Sequence, residues 1–253
     1  MKKEFIILFF LIIVSTSFYL LPNKENYNKE NYKGVICLII DDFGYSNNEL
    51  SKEFLSMHPD FSIAIIPGLK YSNYISLFSD SLGFENIVHM PMEAKNQDSY
   101  RNNSYLLNSN LNEIEVESMI NRAFLEIPTA IGMNNHQGSK ATEDLQLMKY
   151  IARSLKKRDK FFLDSFTNPE SRGFITMRRY GVKTELRQVF LDHVESKEHI
   201  QTQLDSLVSL SHIMDVAIGI GHVKQVTLDL LKKEIPKLKA LGYKFAPLSA
   251  VVR

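Results

Sequence analysis

The chain has 253 residues, 44% apolar and 23% charged, enough to bury one sizeable core. Its 30 basic and 29 acidic side chains nearly cancel, which argues against nucleic acid as the main partner. The single cysteine, Cys37, excludes an intrachain disulfide and, lying inside an apolar run, reads as a small core residue.

Lys2 and Lys3 open the chain, residues 5–21 carry no charge, and an Asn/Lys/Glu-rich stretch follows. An all-round apolar N-terminus behind a basic pair has no amphipathic face to place in a core, so residues 1–22 read as a signal peptide or membrane anchor. Residues 23–33 read as a polar linker. The apolar run is near the lower limit for spanning a bilayer and no clean A-x-A site follows, so the reading leans towards an uncleaved anchor. The expected localisation is extracytoplasmic, with the domain at 34–253 exported and held to the membrane if the anchor persists.

From Gly34 onwards short apolar runs alternate with amphipathic stretches, the signature of repeated βα units. Candidate strands are 35–40, 62–66, 86–89, 130–133, 160–164, 188–191, 216–220 and 243–247, with helices over 112–127, 143–158 and 227–242 among those between them. The last helix places Leu228, Leu231, Ile235 and Leu238 on one face and stops at Gly242. Seven or eight such units fit a closed or nearly closed α/β barrel better than an open doubly wound sheet. No Gly-rich phosphate or dinucleotide loop follows any strand.

Ionisable residues recur at the ends of these strands. Asp41 and Asp42 follow VICLII, His89 follows NIV, His136 lies just past AIGM, Asp164 follows KFFL, Asp192 follows QVFL, and His222 follows VAIGIG. In a βα barrel such ends converge on one face, where active sites are built. Two imidazoles, His89 and His136, with one carboxylate of the Asp pair suit a divalent metal with open positions, zinc first among the candidates and iron, manganese or cobalt also fitting. Two adjacent carboxylates beside a core repel each other, and a cation ligated by one relieves that while the other serves as base towards the attacking water. A glycosidase pairing of Asp41 with Asp164 is the weaker alternative. Tyr45, Tyr71, Tyr74 and Phe166 read as packing groups before sugar platforms.

The blocks IIDDFGYS, HMPME, NNHQGS, FFLDSFT, RQVFLDH and AIGIGH, in this order and followed by FAPLS, resemble the divergent polysaccharide deacetylase family of the glycoside hydrolase/deacetylase superfamily. The resemblance covers about 34–253 and implies a distorted (β/α)7-type barrel, a single domain after the N-terminal segment. It implies Asp41 as general base, Asp42 as metal ligand and His222 as general acid, with Asp164 orienting His222. The family's second block carries two histidines four apart, whereas here His89 is followed by Glu93; either His136 supplies the second imidazole or Glu93 ligates. Asn135, Arg187 and Asp192 are pocket residues without a matched role. The GHVKQ stretch departs from the family's usual proline-containing sequence after the late histidine. The expected function is a metal-dependent hydrolase removing N-acetyl groups from an envelope glycan, with a non-catalytic glycan- or protein-binding module as the alternative.

Overall fold

A computed structural model describes residues 31–96 and 104–253. The first thirty residues, and with them the signal or anchor and most of the linker, lie outside this description. Among the described residues no helix is long and apolar enough to cross a membrane.

The described residues form nine strands and eight α-helices: β1 Gly34–Phe43, α1 Glu49–Leu55, β2 Ser62–Ile65, α2 Ser72–Ser81, β3 Asn86–Met92, α3 Glu113–Glu126, β4 Ala130–Gln137, α4 Leu145–Lys157, β5 Phe161–Asp164, α5 Gly173–Arg179, β6 Thr184–Leu186, β7 Val189–Phe190, α6 Lys197–Ile213, β8 Ala217–His222, α7 Gln225–Ala240, β9 Tyr243–Phe245 and α8 Leu248–Val251. All pair in parallel, in the order β6-β5-β4-β3-β2-β1-β8-β7, with β9 on β1. Only Arg187 and Gln188 separate β6 from β7, the two strands at the ends of the path. The result is a distorted α/β barrel with a seam, as the sequence blocks imply.

The helix starts follow from local chemistry. Asn112 and Glu115 form a reciprocal capping box on α3, and Asp144 accepts from the amides of Gln146 and Leu147 at the start of α4. In α7, Leu228, Leu231 and Ile235 are buried as expected, and the chain turns at Gly242 in the left-handed region (φ +94°). Strand β6 went unread because its sequence, TEL, carries no apolar run, and the expected 188–191 strand shrinks to two residues.

Alternation along the strands sorts two cores. Ile36, Leu38 and Ile40 of β1 face the helices together with Val88, Met90 and Phe162. Val35, Cys37 and Ile39 face the barrel axis with Ile87, Phe161, Leu163, Ile218 and Ile220, and Ala246, Leu248, Val251 and Val252 join them from the C-terminal segment. Gly132 belongs to this inner layer because a Cβ there would sit 2.1 Å from the Phe161 ring. Cys37 is buried in it, and burial pushes its thiol pKa up. Continuing each inner row towards the C-terminal strand ends leads to Asp41, His89 and His222.

Candidate metal centre and its proton-transfer pair

Strict alternation would send Asp42 to the helix side. Instead β1 contains one residue more than β2 across the same rungs: Ile40 pairs with Ile63, and Phe43 with Ile65. Asp42 takes up the extra residue in the left-handed region (φ 71°), a conformation Asp tolerates better than most side chains. Phe43 thereby returns to the helix-side core, edge-on to Phe54 at 6.1 Å. Both carboxylates thereby reach one cluster of side chains, where unbroken alternation would have separated them.

Within it, Nε2 of His89 lies 3.4 Å from Oδ2 of Asp41 and 3.4 Å from Oδ1 of Asp42. Nδ1 of His136 is 3.2 Å from the same Asp42 oxygen and 3.0 Å from Nε2 of His89. One ligand atom each from Asp42, His89 and His136 falls within a 4.8 Å span, while Oδ1 of Asp42 is buried without a directed hydrogen bond. The carboxylate of Glu93 is paired instead with Lys140 at 2.8 Å, so His136 completes the trio.

A residue that sequence reasoning passed over orders this cluster. Asn134, opposite His89 in the β3/β4 register, donates through Nδ2 to Asp41 at 2.9 Å, which turns its carbonyl oxygen to Nδ1 of His89 at 2.7 Å. That oxygen can only accept, so Nδ1 of His89 carries the proton and Nε2 presents its lone pair to the trio. The donors therefore fit a divalent cation: two imidazole nitrogens and a carboxylate, with one ring already held in the ligating tautomer. Burial pushes the Asp42 carboxyl up, but the closeness of the His136 and His89 imidazoles outweighs it and holds the group far below the usual carboxylate range. For Asp41, burial wins over the nearby imidazoles and the pKa is raised.

Opposite Asp41 in the β1/β8 register stands His222. Its Nδ1 meets Oδ1 of Asp192 at 2.6 Å, while Oδ2 of Asp192 accepts from the His222 amide at 2.8 Å and from Thr227 at 2.6 Å. Burial lowers the imidazole pKa, but the bond to Asp192 more than offsets this and the net shift is upward. Asp192 thus holds the orienting place expected of Asp164. Asp164 faces α5 and accepts from Ser171 Oγ at 2.7 Å and from the amides of Phe166 and Phe174. Its strand row is that of Phe162, which packs on the helix side, whereas Leu163 faces the axis.

Asn135 and Arg187 brace the loop after β5. Asn135 accepts from the Ser165 amide at 2.9 Å, and Arg187 donates to the carbonyls of Ser165 and Phe166 at 2.6 and 2.8 Å. The Arg187 guanidinium also covers the Phe190 ring at 4.9 Å, and that ring lies 4.9 Å from His222.

The family model for divergent polysaccharide deacetylase matches residues 38–252. The uncharacterized protein YibQ of Escherichia coli (strain K12) is 30% identical over 206 residues, 81% of this chain; the chain spans 63% of that protein's length. The uncharacterized protein ATU2773 from Agrobacterium tumefaciens C58 shares the fold at TM-score 0.83 and 16% identity, covering 90% of this chain and 94% of that one. Weaker fold likeness, at TM-score 0.51, reaches two further proteins. One is the catalytic domain of peptidoglycan N-acetylglucosamine deacetylase from Eubacterium rectale ATCC 33656 (16% identity, 85% of this chain, 88% of that one), the other a family 4 carbohydrate esterase pseudoenzyme from Bacillus anthracis (14%, 87% and 65%). With six sequence blocks on one barrel face and a family match across nearly the whole described domain, this chain belongs to the divergent polysaccharide deacetylase family.

Proposed function

We propose that this protein is a metal-dependent deacetylase acting outside the cytoplasm on the N-acetyl groups of a glycan. The observation that carries the reading is a juxtaposition at one end of the barrel: a ligand trio, a neighbouring carboxylate outside it, and a His–Asp pair across the strand register. A module that only binds glycan has no use for a base and an acid facing each other in this way.

Asp42, His89 and His136 would hold the cation, which when bound supplies Lewis-acid polarisation and acidifies water. Asp41, fixed by Asn134, takes the proton of the attacking water. His222 carries its proton on the ring edge away from Asp192, because Nδ1 is committed to that carboxylate, and delivers it to the departing amine. Asp192 keeps the imidazole oriented and favours its charged form until then. The chain's own contribution is therefore two placed proton carriers and a preorganised ligand set.

The test reads acetate release from chitin oligomers and peptidoglycan fragments beside the metal content of each protein. Asp41→Asn should retain the ion and lose turnover by about 10²–10⁴-fold. His136→Ala should lose the ion, while His212→Ala, on the exposed surface of α6, should keep it. Equal metal content in the two histidine variants, or no acetate release by the metal-loaded parent, would sink the reading.

A further inference from the structure

We propose that the barrel face opposite the site docks on an anionic phospholipid surface, so that the mouth points away from the membrane. The proposal rests on the anchored placement above and not on the catalytic reading.

The chain enters the described fold on that face: the Lys33 amide donates to Gly242 at 3.0 Å, and Gly34 pairs with Tyr243. Only residues 22–33 separate this entry from the apolar run at 5–21, a reach of at most about 40 Å at ~3.3 Å per residue. Two of the most exposed large apolar side chains flank the entry. Leu241, 55% exposed, immediately precedes Gly242, and Ile213, 78% exposed, ends α6, whose Ser211 abuts Gly34. Between them His212 stacks on Tyr243 at 5.6 Å, and Lys244 lies over the Tyr32 ring. A single exposed Leu or Ile is ordinary; two of them with lysines and tyrosines around the root of a tether have the composition of an interfacial surface.

Charge on this face runs the same way. Of its carboxylates, Asp60 and Asp215 pair with Lys239 and Arg253, each at 3.0 Å, and Asp159 shares a groove with Lys160 and Lys183. Lysines in the last turn of a helix are explained by the helix dipole. Lys33, Lys183 and Lys244 stand before strands or within one, where that explanation does not apply. Because the tether keeps the bilayer at high effective concentration, weak attraction of each lysine to anionic headgroups is sufficient. From Gly34 on this face to Asp42, β1 rises eight residue steps, about 26 Å at ~3.3 Å per residue. Docking would thus hold the mouth at roughly that height above the headgroups.

The chain has no tryptophan, so one introduced indole reports its own surroundings. The full chain carrying Ile213→Trp or Leu241→Trp is reconstituted in vesicles of brominated phosphatidylcholine with about one third phosphatidylglycerol. Ile114→Trp is the matched control: Ile114 is 80% exposed and lies in the first turn of α3, at the mouth end. Vesicle flotation first reports whether the chain is anchored at all, and failure to float removes the proposal together with the anchor. If the chain floats, bromine should quench the indole at 213 and 241 at least about twofold more than at 114. Quenching should drop towards the control in vesicles without phosphatidylglycerol, and in the Lys33→Glu/Lys183→Glu background. Equal quenching at all three positions, or quenching indifferent to lipid charge, overturns the docking assignment while leaving the deacetylase reading untouched.

Discussion

Replacing Asn134 by Leu tests the claim that one amide organises both the base and the first imidazole. Leu has nearly the shape of Asn, so the perturbation is chemical: Asp41 loses a donor at 2.9 Å and His89 an acceptor at 2.7 Å, both inside the barrel. A hydrogen bond to a charged group contributes about 1.5–3 kcal/mol and one between neutral groups about 0.5–1.5 kcal/mol. The sum is about 2–4.5 kcal/mol, centred near 3. For a domain of this size about 1 kcal/mol moves the melting temperature by about 2–4 °C, so the variant should melt about 6–12 °C below the parent. Loss of a group that orients a metal-ligating imidazole weakens ion binding by about 10–100-fold. Calorimetric melting with chelator present isolates the first effect, and zinc titration of the folded protein the second. A melting point within about 2 °C of the parent together with unchanged zinc affinity would refute the bridge.

The other predictions concern the same layers. Asp192→Asn removes the partner that raises the His222 pKa above its ordinary value near 6.5. A raised pKa stabilises the fold fully below the unfolded value and ceases to do so as pH rises through the folded one. The stability gap between parent and variant, read by urea unfolding, should therefore narrow from pH 6 to pH 9; a constant or widening gap contradicts the assignment. Asp164→Ala should cost about 2–4 kcal/mol by freeing Ser171 and the amides of Phe166 and Phe174, yet leave metal content unchanged, because that carboxylate serves α5. Gly132→Ala should cost about 1–3 kcal/mol through overlap with the Phe161 ring, and Phe161→Leu should restore much of it; additive losses would show that the ring is not the obstacle.

Much of this was legible in the chain itself. Unbroken runs such as VICLII read as strands, and the periodic stretches 112–127 and 143–158 match helices α3 and α4 to within two residues at each end. Of the site, the ligand types were readable from residues placed after apolar runs. What composition along one strand does not carry is which strand lies beside it. Asp192 and Asp164 look alike in sequence, each ending a run of Phe and Leu, and only the β7/β8 pairing and the side of the sheet distinguish a partner of His222 from a clamp on α5. Asn134 escaped for the same reason: its meaning comes from standing across from His89.

The extra residue in β1 also bears on what kinds of change the site can survive. Point substitutions alter one chemical group, but loss of a single codon anywhere from Ile40 to Phe43 would erase the bulge and restore even pairing with β2. One acid would then leave the cluster, either by deletion or by rotation to the helix side, and in the second case it would arrive among Phe54 and its apolar neighbours. The spacing between Ile40 and Phe43 is thus as much a part of the site as its two carboxylates, and it is intolerant of shortening in a way that the long connections between these strands are not.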